Sequence, residues 1–334
     1  SSVAHEAATQ YVDKGATASD TYDGSSLSVT SDADSVVNVN KVGTYIVTYS
    51  ASDAAGNKAE EKTRTVTVSD KTAPIITLIG SGTVSHEAAT EYVDKGATAK
   101  DSLDGDLTVI PAGSVDVSKI GSYTITYNVT DAAGNAAAEV QRVITVGDTS
   151  IPVITLLGEA TLVHEAKSNY SDAGATASDT LDGNITDSIV TVSTVDINKV
   201  GEYSVSYNVV DANDNSAATV KRVVVVKDST IPIIVLNGEN AVTHEAATNY
   251  NDLGAAASDT LDGNISTSIS TVSNVNKGAV GDYSVKYNVT DANGNAAVEV
   301  VRAVKVVDTT PPVITVKGDV NVIHPIGSAY DDAG

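Results

Sequence analysis

Twelve aspartates recur in register along this chain, and they are the residues best placed to do chemistry. Asp70, Asp148 and Asp228 each sit in a short polar segment just ahead of a proline. Asp101 and Asp104, Asp179 and Asp182, and Asp259 and Asp262 bracket a recurring Asp-x-Leu-Asp-Gly loop. Asp131, Asp211 and Asp291 each open an Asp-Ala-x-x-Asn turn. Short loops of this kind offer oxygen ligands only, the donor set that suits Ca²⁺, which accepts six to eight oxygens in flexible geometry. The run Asp104-Gly-Asp-Leu is too short for an EF-hand loop. Asp-Gly and Asp-Ala-x-Gly-Asn are also ordinary turn formers, so ligand and turn readings both stand.

Other chemistry has weaker support. The five histidines, His5, His86, His164, His244 and His324, fall at equivalent points 78 to 81 residues apart, and four of them precede a Glu. With no H-E-x-x-H and no second His in the same repeat, they read as packing or solvent-facing residues of an edge strand. Ser and Thr abound, yet no G-x-S-x-G nucleophile motif occurs, and there is no Cys; no enzyme is expected in this stretch. Lys41, Lys119 and Lys199 recur before a glycine corner, where a solvated Lys is expected rather than a cross-link.

The element that must position these groups is a hairpin. Gly121–Asn135 reads G-S-Y-T-I-T-Y-N-V-T-D-A-A-G-N, and the same frame returns at Gly43, Gly201 and Gly281. Tyr123, Ile125, Tyr127 and Val129 alternate with Thr124, Thr126, Asn128 and Thr130, the period-2 signature of a strand with one buried face. Asp-Ala-Ala-Gly-Asn supplies the turn, and Val140–Val146 completes the pair.

Repetition then sets the domain plan. Modules are expected at 1–70, lacking a first strand, and at 71–148, 149–228 and 229–308, with 309–334 beginning a fifth. Pro74, Pro152, Pro232 and Pro312 each precede an apolar run and mark where an opening strand starts. The second long strand is expected to run from Tyr92 through Ala99, and further strands between Leu107 and Val117. Some seven short strands per repeat and no helical periodicity predict an all-β array of antiparallel β-sandwich modules of about 80 residues. Both chain ends fall at similar points of the repeat, which reads as an excerpt from a longer array. With no Cys, Trp, Phe or Met, the cores are small and need something besides apolar burial to hold them.

The corner Val-Gly-x-Tyr-x-Val resembles the tyrosine corner of immunoglobulin-like domains. Tyr45, Tyr123, Tyr203 and Tyr283 take the corner position. Val47, Ile125, Val205 and Val285 stand where the second Cys of such domains would be. Together with D-x-T-x-P-x-I-T-L and G-A-T-A-x-D-x-L-D-G, the chain resembles tandem bacterial Ig-like modules of the HYR-like type, found in large surface proteins and appended to some insecticidal crystal toxins. His-Glu-Ala departs from the family text expected before the second long strand.

That resemblance implies that the two Asp-bearing loops and the linker meet at one pole. Asp70 would join Asp101, Asp104 and Asp131; Asp148 would join Asp179, Asp182 and Asp211; Asp228 would join Asp259, Asp262 and Asp291. Such sets resemble cadherin-type junctions that share calcium, with Glu6, Glu87, Glu165 and Glu245 approaching from the module behind. Converging carboxylates repel unless a cation joins them. A net charge of −23, from 43 acidic and 20 basic residues, argues against nucleic acid or an anionic membrane as partners. The implied function is that of an extracellular spacer: an elongated rod of modules touching end to end, stiffened by calcium, in a bacterial cell-surface protein such as an adhesin stalk. A filament or biofilm-matrix polymer with contacts between copies is the alternative. A glycan- or receptor-binding array comes third, because there is no Trp and most Tyr face inward.

Overall fold

The computed structural model describes residues 1–332. They pack as two compact units, and the dividing line passes through the third module. Each is taken by itself. In the first unit the second module is complete and shows the pattern. Its strands are β1 (Ile75–Leu78), β2 (Thr83–Glu87), β3 (Ala97–Asp101), β4 (Gly105–Leu107), β5 (Ile110–Ala112), β6 (Gly121–Asn128) and β7 (Val140–Gly147).

Two sheets form. One has the order β4-β3-β1, and the other β5-β6-β7-β2. All pairs are antiparallel except β2 with β7, where His86 lies opposite Val146. The long hairpin has the expected face. Ile125, Tyr127 and Val129 of its first half and Ile144 and Val146 of β7 are buried, and Ile76 and Ala99 meet them from the other sheet. The turn closes with the Asp131 amide donating to the Asn135 carbonyl at 3.1 Å, and Gly134 takes the φ of +94° that the turn demands. Tyr123 donates its hydroxyl to the Lys119 carbonyl at 2.9 Å, and Tyr45, Tyr203 and Tyr283 make the same i−4 corner bond.

Two sequence-based expectations change. The second long strand starts at Ala97, not Tyr92. Asp94 accepts the Gly96 amide at 3.0 Å and Gly96 has φ +76°, so 92–96 turns instead of extending. Between Leu107 and Val117 only the three-residue β5 forms; Pro111 sits on that exposed edge, where its missing N–H costs nothing. In the second unit the fourth module repeats the plan with sheets of three and four strands, its core built on Ile234, Val285, Tyr287, Val304 and Val306. Among the described residues of 309–332 no strand forms. The strands that pair with β1 and β2 in the second module come from later in the repeat, and 309–332 holds no counterpart of them.

Each core is held by a polar staple. Arg142 lies on the inward face of β7, and only 1% of it is exposed. It makes five hydrogen bonds: to Asp94, to the Tyr127 hydroxyl at 3.0 Å, and to the carbonyls of Ser81, Ile79 and Gly96. Arg64 with Asp13, Arg222 with Asp172 and Arg302 with Asp252 repeat the pair. Burial acts to raise the Asp94 carboxyl, but bonds from Tyr127 and Arg142 outweigh it and hold it below its ordinary value. The Tyr127 hydroxyl is pushed up to about 12, mainly by burial. A buried guanidinium with all its donors used does here what a larger aromatic core would do elsewhere.

Candidate metal centre

Each acidic pole is built from three segments. At the first, the linker brings Asp70, the β3–β4 loop brings Asp101 and Asp104, and the β6–β7 turn brings Asp131. The β3–β4 loop is wound by its own carboxylate: Asp101 Oδ1 accepts the amides of Leu103 at 2.7 Å and Asp104 at 2.9 Å. Asp104 Oδ2 accepts the Ala132 amide at 2.8 Å, tying that loop to the turn. Asp131 spends both oxygens on Asn135 at 2.8 Å, and the Asn135 amide also reaches the Asp70 carbonyl at 3.3 Å. The closing Asn of the Asp-Ala-x-x-Asn motif therefore clamps the linker backbone. Asn215 and Asn295 do so at Asp148 and Asp228.

The resulting carboxylate groups are Asp70 with Asp101 and Asp104, Asp148 with Asp179 and Asp211, and Asp228 with Asp259 and Asp291. In each, one oxygen per residue lies within 4.8 Å of the others. Asp131 stands outside the first triplet but helps to raise the pKa of Asp70, after burial and Asp101. Asp182 and Asp262 hold the Ala212 and Ala292 amides, as Asp104 holds Ala132. Asp70 and Asp101 are only 8% and 4% exposed, and Asp179 8%. The Oδ2 atom of each of these three has no hydrogen-bond partner. Among the described residues no Lys, Arg or His forms an ion pair with any of the twelve aspartates except Lys119 and the staple arginines' own partners elsewhere, so no basic group enters these poles. All-oxygen donors, burial and orphaned carboxylate atoms together fit a hard divalent cation such as Ca²⁺.

The linker is gripped from behind as well. Glu87, at the end of β2, accepts the Thr149 and Ser150 amides at 2.9 and 3.0 Å and both hydroxyls at 2.6 and 2.7 Å. The Thr149 hydroxyl is the largest cause of a Glu87 carboxyl held down at about 2. Glu6, Glu165 and Glu245 grip the following linkers in the same way. These glutamates thus bind linker donors and leave the cation group to the aspartates. Leucine adds an apolar plug: Leu103 packs against the core of the first module and Leu181 against that of the second. Read in the sequence as the middle of an acidic loop, Leu103 gave no sign of that role.

The histidines have a local part. His86 meets Tyr92 edge to face at 5.1 Å and its Nε2 lies 3.2 Å from the Thr90 hydroxyl, fastening the turn after β2. His5, His164, His244 and His324 make the same ring contact. Lys119 is exposed and lies 3.6 Å from Asp116.

A family model described as bacterial surface protein, Ig-like domain, matches residues 1–68, 76–146, 154–226 and 234–306. The chain belongs to this family. As a tandem array of bacterial surface Ig-like domains it is 30% identical over 267 residues to the pesticidal crystal protein Cry22Aa of Bacillus thuringiensis, covering 77% of this chain and 36% of that protein. It is 30% identical over 223 residues to internalin I of Listeria monocytogenes, covering 61% of this chain and 12% of that protein. The bacterial surface Ig-like array thus spans about a third or less of these relatives. Superposed on the human desmocollin-1 ectodomain, it is 12% identical with a TM-score of 0.26, over 81% of this chain and 69% of that one. Among the described residues no helix is long and apolar enough to cross a membrane.

Proposed function

We propose that this array is a spacer in a bacterial extracellular or cell-surface protein, such as an adhesin stalk, and that Ca²⁺ at its acidic linkers stiffens it. The observation that carries the reading is the set of buried carboxylate oxygens at Asp70, Asp101 and Asp179 that no protein donor reaches. Leaving such an atom unsatisfied costs about 1–3 kcal/mol, and more when it is charged. Asp70, Asp101 and Asp104 would hold the ion at the first linker, Asp148, Asp179 and Asp211 at the second, and Asp228, Asp259 and Asp291 at the third. The ion would supply only positive charge and coordination. The side chains would orient the linker, while the clamping Asn and the gripping Glu fix its backbone.

The family supports a surface location, and a linker tied at once by carboxylates, amides and an apolar plug supports a mechanical role. Domain limits near 70, 148, 228 and 308 follow from the linkers these contacts define. Small-angle scattering and thermal melting, each with calcium and with chelator, test the clamp. Calcium is expected to raise both the maximum dimension and the melting temperature; no change in either overturns it. A second reading, an extracellular filament, draws on Val190–Ser193 and Ser270–Ser273. Both strands are exposed along their length and pair on one side only, which leaves an edge to which another copy could add.

A further inference from the structure

The three acidic linkers are built alike but not satisfied alike. At the first, Asp70 Oδ1 accepts the Thr72 amide at 3.1 Å, and both Asp70 Oδ2 and Asp101 Oδ2 are left bare. At the second, the Asn213 side-chain amide donates to Asp148 Oδ2 at 2.9 Å, and only Asp179 Oδ2 is bare. At the third, Asn293 donates to Asp228 Oδ2 at 2.9 Å and the Thr230 hydroxyl lies 3.3 Å from Asp259 Oδ2, so neither spare oxygen is orphaned.

One residue accounts for most of the series. The third position of the Asp-Ala-x-x-Asn turn is Ala133 in the second module, and Asn213 and Asn293 in the third and fourth. The hydroxyl makes the remaining difference. Thr72 turns its Oγ1 to Glu6 at 2.8 Å, whereas Thr230 turns its Oγ1 to Asp228 at 2.7 Å and towards Asp259.

We propose that the linkers bind Ca²⁺ in a fixed order, Asp70 first, Asp148 second and Asp228 last, because Asn213, Asn293 and Thr230 act as built-in donors that a cation must displace. This rests on the calcium reading above and adds its regulation. A cation entering the first group meets two oxygens whose desolvation has already been met by folding and which lose no hydrogen bond to it. A cation entering the third must break two protein hydrogen bonds first. One neutral bond of ordinary net worth, about 1.4 kcal/mol, is a factor of about ten in affinity, so the first and third sites should differ by tenfold or more. As calcium rises, the array would stiffen from its first linker onward.

The test is calorimetric titration of the metal-free full chain with Ca²⁺ alone, on the native protein and on two variants. Ala133 is an exposed turn residue, so Ala133→Asn adds an amide without touching the core. The native chain is expected to fill in resolved steps. Ala133→Asn should weaken the tightest step by about tenfold, and Asn293→Ala should tighten the weakest by about as much. Melting in chelator gives a reading independent of binding. There Ala133→Asn should raise the melting temperature, since it partners Asp70 Oδ2, and a fall would overturn the proposal. Equal affinities in the native chain overturn the order and leave the clamp standing, as does a tightest step that Ala133→Asn leaves unchanged. Tighter binding in Ala133→Asn overturns it too, because the amide would then be lending its oxygen as a ligand. No heat of binding at all overturns both the order and the calcium reading.

Discussion

Every complete module buries carboxylates in two places and treats them in opposite ways. In the core, Asp94 faces Arg142, a cation supplied by the same domain and almost fully hidden. At the linker, Asp70 and Asp101 are hidden as well, yet no basic side chain enters. The core pair completes itself on folding. The linker group remains short of positive charge after folding and can take it only from solution. The first arrangement makes a module that stands by itself, and the second makes a joint whose stiffness depends on its surroundings. The charge balance fits this division, because 20 basic residues cannot partner 43 acidic ones, and the arginines on hand are spent inside.

Breaking the internal pair should have the largest effect. Arg142→Met strands Asp94 and the Tyr127 hydroxyl and frees three carbonyls, and removing one partner of a buried pair costs about 3–5 kcal/mol. The second module should melt well below the others, and adding calcium should not restore it. Recovery of the melting transition by calcium would show that core and linker are not separate devices.

Asp101→Asn sharpens the comparison from the other side. An Asn oxygen can keep the Leu103 and Asp104 amides that Asp101 Oδ1 accepts, so the loop stays wound. In chelator the variant should be as stable as the native chain or more so, since one of several mutually repelling charges is gone. In saturating calcium it should lose about 1–3 kcal/mol relative to the native chain, the cost of a missing charged ligand. The change of sign with calcium, read by melting, separates this carboxylate from Asp94, whose loss should be harmful in both conditions.

Legibility in the sequence followed the same divide. The hairpin could be read because Tyr123 to Val129 alternates without interruption and its turn motif is copied four times. The linker group could be placed because short loops at one pole leave Asp little freedom of position. The staple could not be read from local pattern alone. Arg142 and Asp94 are 48 residues apart, and no rule of spacing joins them before the sheets are formed. A signal was nevertheless present. Arg64, Arg142, Arg222 and Arg302 each fall two residues before a buried Val or Ile on the inward face of a strand, and a charge repeatedly placed at an inward position requires a buried partner. The missed start of β3 has a similar origin: Tyr92 and Val93 suggest strand, but Asp94 and Gly96 use side-chain and backbone geometry to make a turn.

Acid probes both places at once, with the smallest effect of the three. Glu87 has its carboxyl depressed to about 2, against an ordinary value of 4.5. Its contribution is therefore complete above the ordinary value and is lost as the pH falls from there towards about 2. Asp70 is displaced upward, chiefly by burial, so in metal-free protein it carries a penalty at neutral pH that protonation relieves as the pH falls through its raised value. The two changes oppose each other across the acid range. Glu87→Gln should leave melting near neutral pH lower by a few degrees at most, as expected for a solvent-facing carboxylate, and should flatten the acid limb below pH 4.5. Saturating calcium should remove the opposing rise from Asp70 and leave the Glu87 loss exposed, so the native chain should become more acid-sensitive with the metal than without it. Melting profiles from pH 5 to 3 in calcium and in chelator check this, and identical slopes would mean that the linker carboxylates are not where the cation acts.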